Sequence, residues 1–150
     1  MNETPLILFL LEPDEYALSA MEVREVVLLP ELVPIAGATP LVAGVFNLRG
    51  EVVTVIDLRR RLRLPERPWN ERNAVLVVSR QGRPFGLLVD EALSLVTLKQ
   101  EEIEAPPDIR GESETPLLGL GKMNGKVIQI LDSGKILASA AGVPERADLR

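Results

Sequence analysis

The hydrophobic positions of this chain fall in short runs broken by turn residues, with no long stretch of helical period. Leu6–Leu11 is unbroken and apolar, the length of a buried strand. Glu12-Pro13-Asp14-Glu15 is a turn cluster and Tyr16–Leu18 returns as a short strand, so the chain opens on a hairpin. Ser19 followed by Glu22 has the spacing of a capping box and predicts a brief helical turn. Val23–Leu29 reads as a strand with Arg24 and Glu25 as its polar insert, and Pro30–Pro34 breaks it. Thr39-Pro40 places a cap before a proline at the first helical position, predicting one or two helical turns over Leu41, Val42 and Ala43 that end at Gly44.

Gly44 to Leu58 is the most strongly patterned stretch. Two strand-like runs meet at Arg49-Gly50, and the second, Glu51–Ile56, is rich in β-branched residues that suit a pleated, buried surface. Asp57 is a good N-cap for a turn of helix over Leu58–Leu62. Residues 63–73 hold two prolines and five charges and read as a surface connector. A second series follows: strand Ala74–Ser79, turn Arg80–Arg83, strands Phe85–Val89 and Ala92–Leu98, a polar loop with Pro106-Pro107, Thr115-Pro116, a hairpin about Asn124-Gly125, and Asp132 before a last short helix. Residues 139–150 read as a frayed tail.

The second series repeats the first. Leu6–Leu11 matches Ala74–Ser79, and Tyr16–Leu18 matches Phe85–Leu87. Thr39-Pro40-Leu41-Val42 matches Thr115-Pro116-Leu117-Leu118, and Gly50–Asp57 matches Gly125–Asp132. The drift in offset is placed in the Glu104–Glu114 loop, where insertions are tolerated. Each half offers about five short strands and no helix long enough for a parallel crossover, so closure into a small barrel is expected. The reading is mainly β: two tandem five-stranded antiparallel barrels with short helices, packed through an apolar seam because neither half is comfortably stable alone.

Composition narrows the chemistry. Hydrophobic residues are 46% of the 150 and aromatics only 3%, so the core is aliphatic. A net charge of −5 argues against nucleic acid or an anionic membrane as the main partner. No apolar run reaches the ~18–20 residues of a membrane span, and the first residues lack the basic region of a signal peptide, which points to the cytoplasm. The chain has no Cys and no His, which excludes disulfides, thiolate nucleophiles, zinc-finger ligands and histidine bases.

Arg49 is the one residue out of place. In the second half the equivalent turn is Asn124-Gly125, whose residues both tolerate φ > 0. With the same geometry, Arg49 carries a strain of ~1 kcal/mol and becomes a candidate for function. With another turn type it is an ordinary solvated charge, and the residues alone leave both readings open. A guanidinium at such a tip can fork onto a carboxylate of a partner or of Glu25.

Gly44–Leu58, with Tyr16, Val23-Arg24-Glu25-Val26 and Phe85–Asp90, closely resembles the CheW family, the coupling proteins of bacterial chemotaxis, over about residues 5–138. The resemblance implies one domain over 1–150 built from two SH3-like barrels, at about 5–65 and 74–138. It implies a non-enzymatic adaptor, cytoplasmic and recruited to membrane-associated receptor arrays. The implied partners are the regulatory domain of a CheA-type histidine kinase and the helical-hairpin tip of chemoreceptors, the latter in a groove between the barrels. No cofactor, metal, nucleic acid or direct membrane contact is implied. The partner-binding residues carried over are Val23, Arg24, Glu25, Val42, Asn47, Leu48, Arg49 and Gly50, with Arg49 expected to pair with Glu25. Asp57, Asn124, Gly125 and Asp132 are expected to be structural turn and cap residues. Two features depart from the family: the connector with Trp69, and the basic run Arg59-Arg60-Arg61, which reads as a solvated face. The absence of attached kinase or receiver sequence reads as a stand-alone form.

Three other readings compete. Asp14, Glu15, Asp57, Asp90 and Asp132 are the carboxylates available to an enzyme, although capping explains Asp57 and Asp132 better. A peptide- or small-ligand-binding barrel would hold a closed pocket inside one barrel, where an adaptor has filled barrels. An adaptor of a related kinase pathway, such as twitching motility, would use the same binding chemistry.

Overall fold

The structure is a computed structural model that describes residues 3–106 and 116–138. The first series forms strands β1 (Glu3–Leu11), β2 (Asp14–Ser19), β3 (Val23–Leu28), β4 (Val42–Leu48) and β5 (Glu51–Asp57), then helix α1 (Leu58–Arg61). The second forms β6 (Ala74–Arg80), β7 (Arg83–Val89), β8 (Glu91–Lys99), β9 (Ile103–Glu104), β10 (Leu117–Met123), β11 (Lys126–Leu131) and α2 (Ser133–Ala138). Pro107, Thr115 and the 139–150 tail lie outside the described residues.

The strands assemble into two sheets, in the orders β8-β1-β2-β11-β10-β9 and β3-β6-β7-β5-β4. β8 and β9 stand at opposite ends of the first sheet yet are joined by the single 3-10 turn Gln100–Glu102, so the sheet must curl until its ends meet. In the second sheet the end strands β3 and β4 are linked by residues 29–41, within which Val33 pairs back onto Val45. Both sheets are therefore nearly closed barrels.

The barrels are not the two sequence halves. The boundaries 5–65 and 74–138 are overturned by the strand order, because the β1–β2 hairpin completes the barrel of β8–β11 and the β6–β7 hairpin completes that of β3–β5. The halves exchange their first hairpins. The exchange is symmetric to the residue: β2 joins β11 with Tyr16 opposite Gln129, and β7 joins β5 with Phe85 opposite Thr54. Both junctions are parallel, so each barrel is antiparallel except at one pair. The six-stranded sheet also holds one strand more than expected, the two-residue β9.

The repeat itself is present with a corrected register. Val42 opposes Ile56 and Leu117 opposes Leu131, and the same bulge follows in each half, before Gly44 and before Gly119. Val42 therefore corresponds to Leu117, one residue from the alignment drawn on Thr-Pro. The helical turn expected over Leu41–Ala43 is a tight turn and the start of β4. The Thr39 carbonyl accepts from Val42 N at 3.0 Å and its Oγ1 from Leu41 N at 3.2 Å. A few residues cannot nucleate a helix against a ready strand partner.

Three apolar clusters follow from the alternation of side chains along the strands. Leu6, Leu8, Ala17, Leu98, Ile128 and Ile130 fill the six-stranded barrel. Phe46, Val53, Val55, Val75, Val77 and Leu88 fill the five-stranded one. Packing there is tight enough that a Cβ on Gly86 would lie 2.5 Å from Val75 Cγ1. Sixteen buried residues, among them Phe9, Tyr16, Leu18, Ile56, Leu76, Leu87, Leu131 and Ile136, form the seam between the barrels. Among the described residues six buried side chains fill each barrel against sixteen in the seam, so the seam is the main core.

Two outcomes are expected. A chain cut within the exposed connector at Pro68 will give fragments that are largely unfolded apart and regain strand circular dichroism on mixing, because each lacks a hairpin of its own barrel; fragments that fold separately would contradict the exchange. Second, burial and then Asp14 raise Tyr16 above its ordinary 10.0, against a smaller lowering by Arg59. The native state thus holds that proton longer than the unfolded chain, so the related stability is intact below pH 10.0 and is lost as pH climbs through the folded value. Ultraviolet titration of this single tyrosine should show a higher midpoint folded than in denaturant, and Tyr16→Phe should flatten the alkaline loss.

Candidate partner-binding site

Barrel closure brings together two segments far apart in sequence: β3, an end strand of the five-stranded sheet, and the β4–β5 hairpin tip. Two ion pairs join them. Arg49 Nη2 donates to Glu25 Oε1, and Arg24 Nη2 donates to Glu51 Oε1 at 3.3 Å. The run Arg24-Glu25 thus meets Arg49-Gly50-Glu51 with opposite charges matched. Glu25 stands opposite Val77, whose side chain fills the barrel, so the glutamate sits on the same sheet face at the barrel mouth. A register shift between Val23 and Glu25 leaves Arg24 without a ladder partner and turns it outward.

The tip has the left-handed geometry. Arg49 has φ 49° and Gly50 φ 92°; Asn124 and Gly125, at the matching tip, have 51° and 77°. Gln81-Gly82 makes a third such turn at 54° and 78°, inside the segment read only as a turn over Arg80–Arg83. Asn47 Oδ1 accepts from Gly50 N at 2.8 Å and holds the loop. Arg49 therefore bears a backbone strain that asparagine bears more easily, and both partners of its ion pair reach solvent, the arginine by 69% of its side chain and Glu25 by 31%. An exposed pair of this kind gives ~0–1 kcal/mol, no more than offsetting the strain. Stability does not account for Arg49.

The structure gathers Arg24, Glu25, Asn47, Arg49 and Gly50 at this end, with Leu48 half-buried beside them, while the half-buried Val23 packs against the seam cluster. Val42 does not belong: it is buried in the seam between the barrels. Glu51, which completes the second ion pair, was not singled out; its signal is the reversed order of charges on the two segments. Exposed apolar side chains on the same strands are Val26 and Leu28 of β3 and Val52 of β5.

The cap residues serve the helices. Asp57 Oδ1 accepts from Arg60 N at 3.3 Å, and Asp132 Oδ1 from Gly134 N at 2.9 Å and Lys135 N at 3.2 Å. Ser19 caps Met21 N at 3.2 Å, but Glu22 does not return to it; Ser133 Oγ donates to Glu22 instead, at 2.8 Å. The basic run is not a solvated face. Arg59 is 6% exposed and donates to Asp90 and to the carbonyls of Glu12 and Pro65, while Arg61 donates to the carbonyls of Ile136 and Lys135. Of the remaining carboxylates, Glu15 lies 3.8 Å from Lys126 Nζ. No helix among the described residues is long and apolar enough to cross a membrane.

Comparison with known proteins gives one consistent answer. The family model described as CheW-like domain matches residues 5–141. The chain is 30% identical to "Chemotaxis protein CheW" of Bacillus subtilis (strain 168), over 95% of this chain and 94% of that protein. It is 29% identical to "Chemotaxis protein CheW" of Klebsiella aerogenes, over 89% of this chain and 81% of that protein. The crystal structure of the scaffolding protein TtCheW from Thermoanaerobacter tengcongensis superposes with a TM-score of 0.80 at 27% identity, covering 86% of this chain and 88% of that one. Five-stranded and six-stranded barrels, the charged hairpin tip and these likenesses together show that the chain belongs to the CheW-like domain family.

Proposed function

We propose that this chain is a non-enzymatic scaffold of bacterial chemotaxis that joins chemoreceptors to a CheA-type histidine kinase. The observation that carries the reading is Arg49, kept in a left-handed turn for an exposed ion pair with Glu25 where the duplicate half has the easier Asn124. A residue that is strained, exposed and of little value to folding has its use outside the fold. The charged end formed by Arg24, Glu25, Arg49 and Glu51, flanked by Val26, Leu28 and Val52, is the surface we assign to the kinase regulatory domain. Charge order on such a rim selects the partner and its register more than it adds raw affinity. The receptor's helical hairpin is assigned to the groove between the barrels on the family resemblance, and the protein to the cytoplasmic side of receptor arrays. An adaptor of a related kinase pathway would use this same surface.

Filled barrels speak against the ligand-barrel alternative. Leucine, isoleucine and alanine fill the six-stranded barrel and valine, leucine and phenylalanine the five-stranded one, and the close approach to Gly86 leaves no volume there for an added methyl group without a shift of Val75.

Arg49→Asn separates recognition from folding. Its thermal midpoint is expected to match the wild type or rise slightly, since relief of ~1 kcal/mol of strain balances the lost pair. Calorimetry against a CheA-type regulatory domain is expected to show affinity reduced about tenfold, a loss of ~1.4 kcal/mol. Exchanging the charges, Glu25→Arg with Arg49→Glu, should keep the fold and still lose binding. Undiminished affinity in both variants would remove Arg49 from the interface.

A further inference from the structure

The chain passes from one barrel to the other at Asp90, between β7 of the five-stranded sheet and β8 of the six-stranded sheet. The Asp90 carboxylate accepts from Arg59 Nε at 3.0 Å, Arg59 Nη2 at 2.9 Å and Glu12 N at 2.8 Å, while its own N–H donates to the Leu10 carbonyl at 3.0 Å. Arg59 also donates to the Glu12 carbonyl at 2.6 Å and the Pro65 carbonyl at 2.7 Å. Arg67 Nη1 adds a 2.6 Å bond to Glu12 Oε1 and lies 3.6 Å from Asp90 Oδ2. Glu12 is the turn of the β1–β2 hairpin, in the six-stranded barrel, whereas Arg59 follows β5 of the five-stranded one. One ion pair thus holds both barrels and the connector, with side-chain exposures of only 7% and 16%.

The seam beside it is apolar, and apolar burial has no preferred direction. A planar guanidinium fork does, and its charge-assisted bonds define one mutual orientation. Net stability from such a buried pair is small, because desolvation offsets attraction, so orientation is the effect left to it. Among the described residues, the duplicated junction shows no such hub. There α2 replaces α1, and the matching ties are Ser133 Oγ to Glu22 at 2.8 Å, a longer 3.4 Å bond from Arg80 Nη1 to the Gly134 carbonyl, and the half-exposed Arg61 on the carbonyls of Lys135 and Ile136.

We infer that the Arg59–Asp90 pair is a positioning element that sets the angle between the barrels, and with it the spacing of the two protein-binding surfaces of the scaffold. The functional half of this inference rests on the adaptor reading; the geometric half does not. Because the chain has no cysteine, spin labels can be placed at will on Leu28→Cys and Val127→Cys, exposed positions on opposite barrels. In the full-length protein, Arg59→Lys and Asp90→Asn are expected to widen the interlabel distance distribution roughly twofold, as for rigid bodies freed at an interface. Val53→Ala, buried inside the five-stranded barrel, should lower the melting temperature without widening it, and Ser133→Ala should leave it unchanged. Arg59→Lys should bind the kinase domain, whose assigned surface lies on one barrel, within about twofold of wild type, yet lose about tenfold for the receptor tip, whose assigned groove both barrels line, and in forming the bridged complex, where geometry controls effective concentration. An unwidened distribution in both hub variants overturns the inference, as does a widened one with bridging intact. If the wild type binds neither partner, the adaptor reading fails while the distance result stands.

Discussion

Neither barrel of this protein is made by one segment of chain. Each takes a hairpin from the opposite repeat, and the hairpins meet the other strands through parallel pairs that place Tyr16 and Phe85 at matching points of the seam. The seam is therefore more than a contact between finished units. Its largest side chains lie on the exchanged hairpins and on the strands that receive them, so barrel closure and inter-barrel packing happen together. A chain of 150 residues divided into two independent barrels would bury too little in each. Exchange turns two marginal cores into one large core with two small ones attached.

Much of this was legible before the coordinates. Strand runs, the hairpin at Asn124-Gly125, the caps Asp57 and Asp132 and the repeat all rest on local chemistry, and local chemistry is written along the chain. Partner choice between strands is not. An apolar run such as Ala74–Ser79 looks the same whether it pairs with β1 or β3, so the repeat alone does not reveal the exchange of hairpins. Thr39-Pro40 carries the same marks as a helix start and as a turn, and only the waiting partner Ile56 decides that Val42 is strand. Arg59 was hidden for a related reason. Within Arg59-Arg60-Arg61 nothing distinguishes the buried guanidinium, because its acceptors, Asp90 and the Glu12 carbonyl, lie far off in sequence.

Duplication supplies an internal control that a single barrel would lack. Positions that fold needs in both halves stay alike: the bulges before Gly44 and Gly119, the caps, and the glycines of the turns. Where the halves differ, folding does not require the difference. Arg49 against Asn124 is such a case at matching φ angles, and Arg24-Glu25 has Ala92-Leu93 at the equivalent place on β8 when counted from Val27 and Leu95, each opposite the matching residue of its neighbour. The charged end of the five-stranded barrel is thus an addition to a geometry that is already complete without it.

The same comparison separates energy from direction. Apolar residues are spread through both repeats and hold the barrels together whichever way they face. Among the described residues the buried guanidinium occurs once, at the crossing where a fixed orientation between the two surfaces matters, and its duplicate position is Gly134 in α2, which has no side chain to fork. A scaffold that must present two surfaces at a set angle gains little from more burial, since burial alone permits sliding. It gains from one stiff, directional contact placed where both barrels and the connector meet, and Asp90 with Arg59 stands at that point.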